Sequence, residues 1–214
     1  MSEMRIKTMV LGGVQTNCYL VYHEKTKAGV IIDPAAQPDR IDQMCLELGI
    51  KPEALLLTHG HGDHIMAVEK LKSRYQIPVI AGEKERDLLA DPSKNLSAAL
   101  GMPSVSLKAD REVTDGEILV LAGFQFQVLA TPGHTAGSVC YLEPEEGVLF
   151  SGDTLFEESL GRTDFPTGNM QQIVASIAEK LFVLPEDIMV YPGHGNPTTI
   201  GHEKTYNPVA IYRR

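Results

Sequence analysis

The sequence has few cysteines, and their arrangement does not suggest disulfide bonds. Its three cysteines, Cys18, Cys45 and Cys140, are odd in number and far apart along the chain. A small secreted domain stabilised by disulfides would have an even number at close spacing, so this class is disfavoured and a reducing compartment is indicated. We expect all three side chains to be buried, because free cysteine behaves as a small apolar residue.

Long apolar runs and basic clusters are also missing. No stretch approaches the roughly 20 apolar residues of a membrane-spanning helix, and the first residues lack the basic and apolar regions of a signal peptide. The formal net charge is -9, and no run of Lys and Arg is available to contact a phosphate backbone. We therefore expect a cytoplasmic protein whose partner is neither a membrane nor a nucleic acid. The oligomeric state stays open.

What the chain contains is typical of one globular domain spanning residues 1–214. Apolar residues make up 43% of the chain and charged residues 22%, which are ordinary proportions. Short apolar runs bounded by Gly, Pro and Asp predict strands. These strands cover residues 4–11, 17–22, 29–34, 54–59, 78–82, 117–123, 124–131, 138–144, 147–153 and 188–194.

Helical periodicity is present in four segments, and residues 95–100 are ambiguous. The four segments are residues 38–48, 63–75, 83–89 and 170–181. Many strands with inserted helices predict an α/β fold in which helices lie outside two packed sheets. Segments 17–34 and 138–153 also resemble each other, which indicates two related halves unless the similarity of short apolar strands is coincidental.

Residues 58–64, THGHGDH, place three histidines and an aspartate directly after an apolar strand. These side chains cost free energy when buried without partners, so packing does not account for them, and a solvated loop is the alternative. Neutral imidazole and carboxylate are ligands of divalent metal ions. In an extended segment residues i and i+2 point the same way, so His59 and His61 can converge on one ion. Asp63 and His64 would then serve a second ion.

Three further polar residues follow apolar strands and lie beside glycine: His134 in TPGHTAGS, Asp153 in FSGDTLF and His194 in YPGHGNP. Loops at strand ends commonly carry functional sites, and glycine lets the backbone approach a bound ion. Five of the seven histidines fall in these motifs, while His23 and His202 are expected at the surface. The pattern predicts a metal site built from several strand ends.

Taken in chain order, these motifs resemble the metallo-β-lactamase superfamily over essentially the whole sequence. TPGHTAGSVCY and SGDTLFEESLGRTDFP resemble more narrowly the glyoxalase II-like branch, the hydroxyacylglutathione hydrolase-like small bacterial hydrolases. The resemblance implies a four-layer αβ/βα sandwich, in which two mixed sheets are flanked by helices. It also implies a dinuclear metal site at one edge of that sandwich.

The resemblance assigns roles to individual residues. It implies two divalent ions, most simply zinc, with iron or manganese as alternatives. The first metal would be bound by His59, His61 and His134, the second by Asp63, His64 and His194, and Asp153 would bridge them. Asp33, which closes VIID, would orient a ligating histidine.

Departures from the family pattern narrow the substrate. No cysteine stands near Asp153 or His194, which disfavours a β-lactamase with a cysteine ligand. Glyoxalase II has a C-terminal helical region that holds glutathione, whereas here 20 residues follow His194. Arg162 stands where glyoxalase II carries a lysine and could still bind a substrate carboxylate. The thiol carrier is therefore left open.

The function that follows is hydrolysis of a small hydroxyacyl thioester by a hydroxide bridging two metals. Asp63 is the expected catalytic residue, orienting that hydroxide and receiving its proton. The alternatives are a mononuclear iron oxygenase resembling persulfide dioxygenases, or a hydrolase of another ester or a lactone. A metal-binding module without catalytic activity is a third interpretation.

Overall fold

The protein is built around two mixed β-sheets, seen in a computed structural model that describes residues 3–98 and 103–212. The first sheet has six strands that lie side by side in chain order. They are β1 (Met4–Leu11), β2 (Thr16–His23), β3 (Ala28–Ile32), β4 (Lys51–Leu56), β5 (Val79–Gly82) and β6 (Arg111–Val113). Strands β1 to β3 are antiparallel, whereas β3 to β6 are parallel.

The second sheet also has six strands, in the spatial order β14-β13-β10-β9-β8-β7. They are β7 (Ile118–Leu121), β8 (Phe124–Ala130), β9 (Val139–Glu143), β10 (Val148–Gly152), β13 (Met189–Pro192) and β14 (Thr198–Thr199). Strands β11 (Leu155–Phe156) and β12 (Ser159–Leu160) form a separate short hairpin. All ten strands predicted from apolar runs are present, whereas β6, β11, β12 and β14 were too short to predict.

Helices cover the outer faces of the two sheets. They are α1 (Pro38–Leu48), α2 (Gly62–Ile65), α3 (Val68–Tyr75), α4 (Arg86–Ala90), α5 (Met170–Ser176), α6 (Ile200–Tyr206) and α7 (Pro208–Tyr212). A 3₁₀ turn at Glu83–Glu85 precedes α4, and a π turn at Ile177–Leu181 extends α5. None of the helices in the described parts of the chain is long and apolar enough to cross a membrane.

Three of the four helical predictions need correction in detail. The single helix expected over 63–75 is two helices, because the N–H groups of Met66 and Ala67 donate to the carbonyls of Ala35 and Pro34 instead of to their own helix. Segment 83–89 begins as a 3₁₀ turn, and segment 170–181 ends as a π turn in which the Phe182 N–H reaches the Ile177 carbonyl. Residues 95–98 form a bend followed by a turn, and residues 99–100 lie outside the described residues.

Alternating side chains of the central strands fill three apolar layers. On β2, Tyr19 and Val21 face the other sheet, while Leu20 faces the helices α1 and α3. A third cluster packs the outer face of the second sheet against α5 and the π turn through residues such as Ile173 and Ile177. Each sheet is therefore covered on both faces, as its nearly continuous apolar strands require. The predicted four-layer αβ/βα sandwich is confirmed, and all three cysteines are buried in it.

The two sheets repeat one pattern of strand pairing. Strands β1, β2, β3 and β4 pair antiparallel, antiparallel and parallel, and β8, β9, β10 and β13 pair in the same sequence. This repetition agrees with the resemblance between segments 17–34 and 138–153. The carboxyl ends of β3, β4, β10 and β13 meet at one edge of the sandwich, where the loops after these strands come together.

Candidate metal site and cleft

The segment after β4 presents four of the predicted ligands from two kinds of backbone. His61 has an extended backbone, with φ −66° and ψ 147°, and it is the residue just before α2. Asp63 and His64 follow in the first turn of α2, so their side chains leave the backbone in directions different from those of His59 and His61. One short motif can therefore supply two adjacent donor groups.

The first donor group consists of His59, His61 and His134, whose candidate ligand atoms lie within 4.8 Å of one another. His134 reaches the group from the loop after β8, and its Nε2 is 2.9 Å from Nδ1 of His61. All three side chains are buried. Three convergent imidazole nitrogens of this kind are suited to a divalent transition metal.

The second donor group consists of Asp63, His64 and His194, again with ligand atoms within 4.8 Å of one another. His194 comes from the loop after β13, and its Nε2 lies 3.3 Å from Oδ2 of Asp63. Gly193 permits this approach, because a Cβ there would lie 2.0 Å from an oxygen of Asp153 and 2.8 Å from the ring of His64.

Asp153, in the loop after β10, lies between the two donor groups. Its Oδ2 is 3.5 Å from Nε2 of His134 in the first group and 3.5 Å from Nε2 of His194 in the second. Its Oδ1 is 3.3 Å from Nε2 of His64. All seven residues predicted as metal ligands therefore meet in one place, with a single carboxylate able to serve both groups.

Several buried polar atoms at this place have no hydrogen-bond partner among the described residues. They are Nε2 of His59, His61 and His64 and Oδ1 of Asp153. Leaving such atoms unpaired costs about 1–3 kcal/mol each, so a native structure rarely collects four of them. Divalent cations would satisfy these nitrogen and oxygen donors, and the residues present therefore fit a pair of metal ions.

Partners on the opposite ring nitrogens set which histidine nitrogens are available to a metal. Nδ1 of His134 donates to the carbonyl of Arg162 at 2.7 Å, and Nδ1 of His64 donates to Oδ2 of Asp33 at 3.0 Å. The acceptors are a carbonyl and a carboxylate, so each ring carries a hydrogen on Nδ1, and Nε2 is the nitrogen that each neutral ring can offer to a metal.

Asp33 contacts two of the predicted ligands, His64 directly and His59 through Thr58. Its carboxylate accepts the N–H and the hydroxyl of Thr58 at 2.8 and 2.6 Å, and it accepts His64 as well. The Thr58 hydroxyl oxygen lies 3.1 Å from Nδ1 of His59 and is left to accept a hydrogen from it. Asp33 adopts a left-handed backbone, φ 48°, which aspartate tolerates better than most residues. Because its oxygens are engaged in this way, Asp33 is placed to orient ligands rather than to bind metal.

Burial and charge shift the ionisation of the clustered groups. Burial and the neighbouring His134 lower the pKa of His61 to about 3, which keeps this ring neutral. Burial raises the pKa of Asp153, but the surrounding histidines outweigh it and hold that pKa well below its usual value. Neutral rings and an ionised carboxylate are the forms in which these side chains bind metals.

Sequence reasoning missed Glu85, which joins the two loops of the first donor group. This buried carboxylate accepts the Gly60 N–H and the Gly137 N–H, each at 2.8 Å, and the Thr135 hydroxyl at 2.5 Å. Burial raises its pKa, while these three hydrogen bonds oppose the rise. Nothing in EKERDLL marks Glu85 as different from its exposed acidic neighbours, because its partners are distant in the chain.

Thr16 is a second residue that sequence reasoning missed. Its hydroxyl donates to Oδ2 of Asp63 at 2.8 Å from the start of β2. The same strand end pairs with His194 through an isolated bridge, and the Asn17 N–H donates to the Gly193 carbonyl. The first sheet thus supports ligands carried by both sheets.

The donor groups open into a cleft of about 440 Å³. Arg162 borders this cleft, but its guanidinium makes two hydrogen bonds to Asp164, at 2.7 and 2.6 Å, and stacks on Phe165 at 3.9 Å. The structure thus places Arg162 beside the donor groups, with its guanidinium already paired to Asp164. The cleft is wide enough for a small organic substrate.

Comparison with known proteins agrees with the fold. The metallo-beta-lactamase superfamily model matches residues 11–194. Hydroxyacylglutathione hydrolase GloC of Haemophilus influenzae is 38% identical over 207 residues, covering 96% of this chain and 97% of that protein.

Two solved structures are similar over nearly the whole chain. A crystal structure of BLEG-1 B3 metallo-beta-lactamase has a TM-score of 0.91 at 42% identity, covering 96% of this chain and 99% of that one. TTHA1623 in a di-iron-bound form has a TM-score of 0.85 at 37% identity, covering 94% and 98% of the two chains. With its strand-end histidines and aspartates in place, this chain belongs to the metallo-beta-lactamase superfamily of metal-binding hydrolases.

Proposed function

We propose that the protein is a metal-dependent hydrolase of small acyl thioesters, similar in activity to hydroxyacylglutathione hydrolases. The observation that carries this proposal is the pair of donor groups that share Asp153, with buried nitrogen and oxygen atoms left unpaired. His59, His61 and His134 would hold one cation, and Asp63, His64 and His194 the other. Zinc is the simplest occupant, and the di-iron form of TTHA1623 makes iron a real alternative.

Two divalent cations in such a site supply a hydroxide at neutral pH and polarise the substrate carbonyl. The side chains then have three tasks. Asp153 keeps the two donor groups together, and Asp33 and Thr58 fix the rings of His59 and His64. Asp63 would receive the proton of the attacking hydroxide on its carboxylate, and the Thr16 hydroxyl orients that carboxylate by donating a hydrogen bond to Oδ2.

The leaving group favours a thioester over an amide. A thiolate has a conjugate acid with a pKa near 8.5, so it departs without taking a proton from the enzyme. An amine leaving group, by contrast, requires a proton as it departs. A thioester therefore demands less of the side chains around the donor groups than an amide does.

Two other activities are weighed against this proposal. The similarity to BLEG-1 B3 metallo-beta-lactamase favours a test of β-lactam cleavage. A persulfide oxygenase would need a single iron held by two histidines and a carboxylate, and the same residues contain that set. It would also consume oxygen, which hydrolysis does not.

The experiment is release of free thiol from a panel of acyl thioesters, lactoylglutathione among them, by metal-loaded protein. Asp153→Ala serves as the inactive comparison, because it removes the carboxylate shared by both donor groups. Parallel assays measure cleavage of a chromogenic β-lactam, cleavage of an oxygen ester and a lactone, and oxygen uptake with glutathione persulfide. Each assay is repeated with zinc-, iron- and manganese-loaded protein.

We expect thiol release at a rate at least about a hundredfold above that of Asp153→Ala. Thiol release equal to that of the variant, with every metal, would refute the proposal. Oxygen uptake or β-lactam opening in its place would then identify the activity.

A further inference from the structure

The wall of the cleft beside the donor groups is largely apolar. Five side chains of this character line it: Val14, Leu96, Phe156, Leu160 and Phe165. The ring of Phe165 lies edge-on to that of His61 at 5.7 Å, so the apolar wall begins next to the metal ligands. A substrate whose carbonyl lies at the donor groups would therefore place the group bonded to that carbonyl against apolar surface.

Leu96 stands out in this wall because of its backbone. Its φ is 67°, in the left-handed region that disfavours a branched side chain such as leucine. Only 9% of the residue is exposed, yet the apolar core clusters of the described residues do not include it. Leu96 therefore combines a strained backbone with a buried apolar side chain that lines the cleft.

The loop that carries Leu96 is fixed to the metal-binding motif. Asn95 is fully buried; its side-chain amide donates to the Val105 carbonyl at 2.8 Å, and its side-chain oxygen accepts the Ser97 N–H at 3.0 Å. The Asn95 carbonyl accepts the N–H of Gly62, next to His61, at 2.7 Å. Leu96 therefore keeps a defined position relative to the donor groups.

The lining of the cleft also offers little cationic charge to a substrate. Arg162 is the single Lys or Arg among the described residues that line it, and Asp164 already pairs with the guanidinium. An acyl group carrying a carboxylate would thus find no unpaired cationic side chain in this lining. An uncharged, apolar acyl group would instead remove apolar surface from water.

We propose that Leu96 is a specificity-determining residue that makes the enzyme prefer thioesters of apolar acyl groups. The proposal rests on the thioesterase function proposed above. Each acyl methylene that the wall buries raises kcat/KM by about fourfold until the cleft is filled. Short hydroxyacyl thioesters are then substrates, but poorer ones than their longer, unsubstituted counterparts.

The experiment measures kcat/KM for acyl thioesters of one thiol, from acetyl to hexanoyl, with lactoyl and succinyl for comparison. Leu96→Gly removes the side chain and the steric cost of the left-handed backbone. Leu96→Asn replaces the apolar side chain with a polar one in a residue type that tolerates this backbone. Gln76→Gly is the matched control. Gln76 also has a left-handed backbone, φ 54°, but it lies at the end of α3 away from the cleft. Metal content and circular dichroism are recorded for each variant.

We expect wild type and Gln76→Gly to gain about fourfold per methylene from acetyl to butyryl and to act poorly on succinyl thioester. Both Leu96 variants should keep their metal, and relative to their own rate with acetyl thioester they should lose most of this gain. An unchanged chain-length dependence in Leu96 variants that remain folded and metal-loaded would overturn the role of Leu96. Absence of thiol release from every thioester by wild type would overturn the proposed function instead.

Discussion

Asp33 is a single residue whose contacts reach both donor groups. Its carboxylate accepts His64 directly and contacts His59 through the Thr58 hydroxyl. Partners of this kind fix the ring orientation of a metal ligand, and their loss typically weakens metal binding by about 10–100-fold. Asp33 follows the last residue of β3 directly and has a left-handed backbone.

Asp33→Ala should therefore weaken binding of both metals by about 10–100-fold without removing any ligand. Calorimetric titration of metal-free protein with zinc would measure this effect. Asp39→Ala is a control, because Asp39 is an exposed carboxylate that pairs with Lys70 at the surface. Equal zinc affinity in the Asp33 variant and wild type would show that the rings hold their positions unaided.

Arg162→Ala tests the predicted contact with an anionic thiol carrier. The substitution keeps the main-chain carbonyl that accepts the His134 ring, so metal content should not change. Exposed charge pairs contribute at most about 1 kcal/mol, so KM should rise up to about fivefold for glutathione thioesters. KM for thioesters of an uncharged thiol should stay the same.

Arg86→Ala is matched to this variant, because Arg86 is also exposed and makes two hydrogen bonds to an acidic partner, Glu112. It does not border the cleft. If Arg162→Ala and wild type have the same KM for glutathione thioesters as well as for thioesters of an uncharged thiol, Arg162 does not contribute to substrate binding.

The residues predicted from sequence were those whose signal is local. THGHGDH and the glycine-flanked His134, Asp153 and His194 combine rare residue types with strand ends, and the structure brings them together. Glu85 and Thr16 gave no such signal. Each is an ordinary residue whose importance comes from partners far away in the chain, and one sequence does not reveal such distant contacts.

At the level of secondary-structure elements, the 3₁₀ turn at Glu83–Glu85 joins two loops that are far apart in the chain. Glu85 receives hydrogen bonds from the loop of Gly60 and from the loop of Thr135 and Gly137. These loops carry His61 and His134, so the spacing of the first donor group depends on this turn. Sequence periodicity indicated a helix here but not this connection.

Glu85→Gln should destabilise the fold by about 1–3 kcal/mol, because the amide nitrogen would face a main-chain N–H that now has an acceptor. Thermal unfolding of the metal-free protein measures this loss. Glu83→Gln, an exposed neighbour in the same turn, should leave the melting temperature unchanged. A Glu85 variant as stable as the Glu83 variant would mean that the loops hold together without the carboxylate.

Distant contacts also explain why residues 63–75 form two helices where the sequence predicts one. Its apolar periodicity is real, since Val68 and Leu71 are buried in α3 as expected. The break comes from the carbonyls of Pro34 and Ala35, which take the N–H groups of Ala67 and Met66. Local pattern therefore predicted the buried face, whereas tertiary hydrogen bonds determined where each helix begins and ends.

For the whole molecule, metal binding and folding should be coupled. Cations bound at the donor groups would satisfy the unpaired atoms there, and the unfolded chain has no such site, so bound metal should stabilise the folded state. A metal present at a hundred times its dissociation constant adds about 2.7 kcal/mol. Chelation should then lower the melting temperature by about 5–10 °C in a protein of this size.

Differential scanning calorimetry with and without a chelator measures this change. Asp153→Ala should show little further decrease on chelation, because its metal affinity is already reduced. A melting temperature of wild type that does not respond to chelation would indicate that the donor groups are stable without cations.

The distribution of the predicted ligands between the two sheets has a consequence for the order of folding and metal binding. His59 and His61 follow a strand of the first sheet, whereas His134 follows a strand of the second, and Asp63 and His64 are joined by His194 in the same way. Each of these donor groups is therefore complete only when the two sheets have packed together. A cation bound there would crosslink the two halves of the chain.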